Sequence, residues 1–303
     1  MSTEPSLSQQ RNLGILLVLV AAVLWSSNGM FIKLLQVEPL PLTALRALFA
    51  ALTLAPFVRR DQLRWDPAML GALVSYPVLV LCFVSATKWT TAANAIALQS
   101  TSPAWMFVFS AIALRQLPLR LLTPILVILG GILVVLLEPA TGISAKGNLV
   151  ALVAGVSWAT FAFSYARIRT PGPGVISLCN LVTFAALLLL QPVEVLSTVA
   201  PAGGIRLVDW LMLIYLGVVQ QGVAFMFFTA AMRRLSPTQV MVLVLLEPLL
   251  NPVWVYFVVG EAPSVYGLSG GGLILLGILI DIFIRRDPRE AMRDAIPRVL
   301  PED

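Results

Sequence analysis

Glu247 is the side chain of this sequence best placed to do chemistry. It lies about twelve residues into an apolar run, 236–259, with no cation adjacent in sequence, and an ionised group at mid-bilayer costs at least about 2.5–3.5 kcal/mol. Pro248 cannot donate a backbone hydrogen bond, so a carbonyl is freed one turn earlier and a kink is favoured. Asn251 and Trp254 follow Glu247 at i+4 and i+7, which puts acid, amide and aromatic ring on one helix face. Such a face could bind a cationic or amine-bearing solute, or Glu247 could exchange a proton. Beside these stands a structural reading, in which the acid caps a broken helix or pairs with Arg46. Arg46 falls about six residues, or about 9 Å, into its own apolar run. Its stem could snorkel to the headgroups, or its guanidinium could hold a carboxylate.

Other runs carry polar faces of their own. Trp25 and Asn28 are spaced i, i+3, as are Gln99 and Ser102. Gln220 and Gln221 fall mid-run, and Trp158, Phe161 and Tyr165 form an aromatic edge. Aromatic faces with a few amides suit a planar or amphipathic organic solute, whereas a bare ion would need rings of oxygen. Each polar residue taken singly could instead be glue between helices.

The elements that must position these groups are membrane helices. Of 303 residues, 59% are hydrophobic and 12% charged, against about 45–50% and about 25% in soluble domains. No histidine is present, and Cys82 and Cys179 both lie in apolar runs, so the usual general base, a zinc site and a disulfide framework are lacking. No Gly-rich loop with lysine offers a nucleotide site. No metal or cofactor is expected, and no nucleic-acid partner.

Apolar runs of membrane-crossing length recur at 13–35, 40–58, 67–87, 91–114, 118–138, 147–168, 174–196, 208–232, 236–259 and 264–284. The continuous runs exclude a β-barrel, and the first run, soon followed by a second, reads as a span and not a cleaved signal. Lysine and arginine placement sets the orientation. With both termini cytoplasmic, Arg59, Arg60 and Arg64, Arg115 and Arg120, Arg167 and Arg169, and Arg233 and Arg234 all face inward, leaving Lys33, Lys88, Lys146 and Arg206 outside. These arginines read as topology signals. Lys33, Lys88, Glu138 and Asp281 lie near span ends and call for no function.

The halves repeat. Ala86–Pro118 lies on Ala231–Pro263 without a gap, bringing Pro103 onto Pro248, Pro118 onto Pro263 and Ser102 onto Glu247. Leu24-Trp25-Ser26-Ser27 falls on Ser157-Trp158-Ala159-Thr160, and Gly130-Gly131 matches Gly271, Gly272 and Gly277. The expected fold is an all-α integral membrane protein with ten transmembrane helices in two inverted five-helix repeats, 13–138 and 147–284, between cytoplasmic tails 1–12 and 285–303. An odd number of spans per repeat inverts the second copy, and a pocket at the repeat interface can then open to either side.

The segment Leu245-Leu246-Glu247-Pro248 through Phe257-Val258-Val259-Gly260-Glu261 resembles the EamA family of the drug/metabolite transporter superfamily, over essentially the whole chain as two copies. The first copy departs, with Leu114-Arg115-Gln116 where the family's glycine–glutamate pair would stand; that pair reads as a helix-end feature. The resemblance implies ten helices, cytoplasmic termini and export or exchange of a small metabolite, without choosing among amino acids, nucleobases, sugars and drugs. It also supports structural roles for Glu247 and Arg46, since an acid before this proline and an arginine in the second span are common in the family.

The leading expectation is thus a secondary transporter in a bacterial inner membrane, multi-pass, with a small-molecule substrate and the lipid bilayer as partners, monomeric or a homodimer. Its substrate site would draw on Trp25, Asn28, Gln99, Ser102, Trp158, Tyr165, Gln220, Gln221, Glu247 and Asn251, with Arg46 as a coupling or structural charge. The rivals are a non-transporting receptor or scaffold and an intramembrane enzyme on lipid-linked substrates; the enzyme would need the clustered acids, histidines or metal that this sequence lacks.

Overall fold

The computed structural model describes residues 7–63, 66–114, 122–139, 142–199, 205–235 and 237–284, and every regular element among them is helical. In chain order these are α1 (Leu7–Ser26), α2 (Asn28–Leu34), α3 (Pro39–Leu54), α4 (Pro67–Trp89), α5 (Ala92–Gln99), α6 (Ser102–Leu114), α7 (Leu122–Leu136), α8 (Ile143–Tyr165), α9 (Pro173–Leu190), α10 (Pro192–Val199), α11 (Leu207–Ile214), a π-helical segment (Tyr215–Val223), α12 (Ala224–Met232), α13 (Pro237–Val244), α14 (Leu246–Val259) and α15 (Val265–Ile284). Arg64, Arg115, Arg120 and both expected tails beyond residues 7–12 lie outside the described residues.

Helix starts follow local chemistry. Pro67 stands in the first turn of α4, where its missing N–H costs nothing, and Asp66 caps that helix by accepting from the Met69 N–H at 2.7 Å. Thr91 caps α5 through the Asn94 N–H at 3.2 Å. At the other extreme Gly260, at φ 78°, ends α14 in the left-handed conformation that a side chain disfavours.

Eight helices are long and apolar enough to cross a membrane: Gln9–Leu34, Pro39–Phe57, Pro67–Trp89, Ile143–Tyr165, Pro173–Leu190, Leu207–Met232, Gln239–Val259 and Val265–Ile284. The expected fifth run holds a shorter apolar helix, Leu122–Leu136. Two expected spans are not continuous helices. The run 91–114 breaks at Ser100–Thr101 between α5 and α6, and 174–196 ends at Leu190, where Pro192 starts the separate α10. The first and ninth spans continue as helices past a one-residue interruption, at Ser27 and at Leu245, both of which keep right-handed helical dihedrals. The α5 and α13 helices, each eight residues long, coincide residue for residue in the gapless alignment of the two halves.

The packing partners are α4 with α8, α7 with α15, α3 with α9 and the π segment, and α1 with α12, α13 and α14. In the α7–α15 contact the backbones touch. A Cβ on Gly131 would fall 2.6 Å from the Gly270 carbonyl, and one on Gly270 would fall 2.7 Å from the Gly131 carbonyl, the close approach that small residues permit between membrane helices. Leu52, Val74, Leu126, Leu133, Leu149, Leu189 and Phe257 are exposed on the outer surface, an apolar coat suited to lipid and not to water.

Candidate functional site

The break at Ser27 organises the centre. Ser26 and Ser27 turn their hydroxyls onto the Val23 and Leu24 carbonyls, both at 2.7 Å, competing with the helical ladder at its end. Trp25 stands at the end of α1 and Asn28 at the start of α2, and the two meet different neighbours. Trp25 stacks on Phe225 and Phe228 of α12, each at 5.1 Å between centroids. Asn28 instead accepts from Arg46 Nη1 at 3.2 Å. Gln99 and Ser102 likewise straddle the α5–α6 break, Gln99 with its Oε1 buried and unpartnered and Ser102 buried at the start of α6.

Arg46 neither snorkels nor pairs with Glu247. It is 2% exposed, and its Nε is buried without a partner. The face of α3 that carries it lies against α2 and the π segment, where a Cβ on Gly217 would fall 2.6 Å from the Arg46 carbonyl. The guanidinium itself lies inside the bundle, on Asn28.

Asn251 is fully buried with both amide atoms unpartnered, and Gly29 of α2 is the residue that admits it: a Cβ there would fall 2.5 Å from Asn251 Oδ1. Trp254 Nε1 donates to Ser26 Oγ at 2.9 Å. These two residues turn α14 towards the α1–α2 break. Glu247 stands in the first turn of α14, partly buried, bonded to no cation or donor among the described residues. A carboxylate there meets the positive end of the helix dipole, although no side-chain cap bond forms.

The π segment holds Gln220 and Gln221, buried at 3% and 4% exposure with both Oε1 atoms unpartnered. A π bulge inside an α-helix is rare and marks functional positions more often than ordinary helix does. Gln221 Nε2 and Asn180 Nδ2 both donate to the Tyr76 hydroxyl, at 3.4 and 3.1 Å. Tyr76 stacks on Phe161, which continues to Trp158 and Tyr165 at 5.8 and 5.5 Å. The aromatic edge on α8 thus joins the Trp25 cluster in one apolar core. Tyr76 and Asn180 were missed by the sequence reading; a lone asparagine inside the seventh apolar run was the available signal.

The two ends of the bundle differ. At one, Lys33 Nζ meets Glu261 at 2.6 Å and donates to the Thr90 carbonyl at 2.7 Å, while the second Glu261 oxygen accepts from the Ala92 N–H at 2.7 Å. Lys88 bonds the Leu35 carbonyl, Thr90 donates to Asn148 at 2.6 Å, and Asn94 donates to Glu138 at 2.6 Å. Lys33, Lys88, Glu138 and Glu261 thus form a network where the sequence suggested idle helix ends. Arg206, in the connection before α11, binds Asp209 through two bonds of 2.8 and 3.0 Å, which push its guanidinium above its ordinary value.

At the opposite end lies a vestibule of about 950 Å³, lined by Arg59, Arg169, Arg233 and Arg234 with Phe57, Thr170, Met226 and Thr229 among others. No acid is among its described lining residues. An apolar groove of about 420 Å³ runs between α14, α5 and α15, past Pro248, Pro252, Phe257 and Gly267.

Comparison with known proteins follows this geometry. The model of the EamA-like transporter family matches residues 12–137 and again 145–282. An "Uncharacterized transporter" of Archaeoglobus fulgidus is 29% identical over 264 residues, covering 87% of this chain and 94% of that protein. A "Probable amino-acid metabolite efflux pump" of Salmonella typhimurium is 28% identical over 298 residues, 90% and 97% of the two chains. A solved crystal structure, described only as that of a protein, agrees in fold with a TM-score of 0.63 at 21% identity, over 91% of this chain and 99% of the other.

Proposed function

The chain belongs to the EamA-like transporter family, a multi-pass membrane protein that transports a small molecule, and we propose that it works as a secondary transporter by alternating access. In this reading ten crossings form two inverted repeats with both termini in the cytoplasm of a bacterial cell. The Lys33–Glu261 end is then the outer end and the arginine vestibule opens inward.

The observation that carries the reading is that difference between ends. Lys33 belongs to the first family match and Glu261 to the second, so their ion pair ties the halves together on one side, while a vestibule of about 950 Å³ separates helices on the other. A carrier caught with its inner gate open has this form. Cargo entering past Tyr165 would meet the aromatic cluster of Trp25 and Trp158, then the amides Gln220, Gln221, Asn28 and Asn251, with Gln99, Ser102 and Glu247 beside the two broken helices. Spans four and nine are interrupted by tightened turns at Ser100–Thr101 and Leu245, and discontinuous helices are where such sites are commonly built. Loading from the vestibule favours export or exchange of an organic solute. The efflux pump among the relatives points the same way, to an amino-acid-like cargo.

Counterflow of labelled solutes in proteoliposomes is the test. A carrier accelerates entry of external label when unlabelled solute is trapped inside; no acceleration for any amino acid, nucleobase or amphipathic drug would remove the proposal.

A further inference from the structure

The buried charge of Arg46 has no counter-ion. Arg46 is 2% exposed, spends one N–H on Asn28 Oδ1 at 3.2 Å, and leaves Nε buried with no partner. A guanidinium carries five N–H donors in a planar fork. No carboxylate among the described residues lies within ion-pair distance: the ion pairs of this end and span are Lys33–Glu261 and Arg206–Asp209, and Glu247 has no partner. A desolvated cation held only by an amide oxygen is costly, and a planar oxyanion relieves that cost through two parallel charge-assisted bonds.

The surroundings are also set up to donate. Asn251, fully buried beside Asn28 through its contact with Gly29, has an unpartnered Nδ2. Tyr76, within electrostatic reach of Arg46, accepts two N–H bonds and keeps its own proton to give. Arg46, Asn251 and Tyr76 are thus three buried donors of different types, with Asn251 against the residue after Asn28 and Tyr76 within electrostatic reach of the guanidinium. The four arginines of the vestibule, with no acid among its described lining residues, would concentrate anions at the entrance.

We infer that Arg46, with Asn251 and Tyr76, forms a subsite for the carboxylate of an organic-acid or amino-acid cargo. This deepens the carrier reading and rests on it. The planar fork selects the carboxylate over an ester or amide of the same shape, because only the ionised group compensates the buried guanidinium.

The test compares acids with their own methyl esters. Purified full-length protein in a neutral detergent is titrated calorimetrically with the proteinogenic amino acids and with aromatic and aliphatic monocarboxylic acids, each beside its ester. At least one acid is expected to bind about tenfold or more tightly than its ester, the size of a charge-assisted bond. Arg46→Gln abolishes that preference, and Arg46→Lys, which keeps the charge and loses the fork, retains part of it. Equal binding of acids and esters to the unaltered protein, no binding of any acid, or an acid preference surviving in Arg46→Gln would each overturn the subsite. The acid–ester comparison on the unaltered protein decides the matter even if Arg46→Gln fails to fold. Counterflow separates the two claims: an acid that binds through Arg46 without counterflow sinks the carrier and keeps the subsite, whereas counterflow confined to the esters keeps the carrier and sinks the subsite.

Discussion

Lys33 and Glu261 meet at 2.6 Å, with side chains only 14% and 23% exposed, and the same glutamate receives the first N–H of α5. One carboxylate thereby fixes the end of α2, the start of α5 and the turn after α14.

Breaking that contact is expected to loosen one end of the bundle specifically. Lys33→Met, Glu261→Gln and the double variant form a cycle in which the pair contributes about 1 kcal/mol of coupling to thermal stability. A cysteine placed at Thr91 becomes more reactive to an impermeant maleimide in both single variants. Unchanged labelling would mean that the pair does not hold this end shut.

The α7–α15 seam gives a steric prediction. Gly131→Ala drives a methyl against the Gly270 carbonyl and Ile274, whereas a Cβ on Gly130 meets nothing within 4 Å. The first substitution is expected to cost about 1–3 kcal/mol. Gly130→Ala is expected to be neutral or slightly stabilising through helix propensity. Melting of the two purified variants, followed by tryptophan fluorescence, tests the contrast.

The two tryptophans of the proposed cargo site differ in how deeply they pack. Trp25 is 7% exposed and touches two phenylalanine rings, so Trp25→Ala is expected to lose about 3–5 kcal/mol. Trp158 is only partly buried, and Trp158→Ala is expected to weaken binding of an aromatic solute more than it lowers the melting temperature. A thermal-shift titration of both variants reads the two effects together.

Glu247 and a loop arginine make a matched pair. Glu247→Gln is expected to slow transport about tenfold, the loss of one charge-assisted contact, while Arg115→Gln leaves the rate within about twofold, as expected of a topology signal. Equal rates in proteoliposomes would take Glu247 out of the transport step.

Eight of the ten expected spans match helices long enough to cross a membrane, legible because hydrocarbon demands long apolar runs. The gapless alignment also carried structural content, since α5 and α13 fall on each other in it. What stayed hidden is rotation about helix axes and the places where helices break. Serine pairs occur in unbroken helices as well, so Ser26-Ser27 gave no sign that Trp25 and Asn28 part company. Arg46 was readable in depth but not in facing; depth alone suggested snorkelling, whereas the guanidinium lies inside the bundle, on Asn28. Glu261 looked like a helix terminator because its partner, Lys33, lies at the far end of the sequence.

The Lys33–Glu261 pair has no mirror image. In the alignment of the halves Glu261 falls on Gln116, and Lys33, extended from the Trp25–Trp158 match, falls on Ala166. In the proposed carrier a symmetric duplicate would weigh its two resting states evenly, whereas the Lys33–Glu261 bond would favour the state that it closes. Such a carrier would act as a ratchet with unequal teeth, waiting by preference on one side of the membrane until an arriving solute offsets the difference.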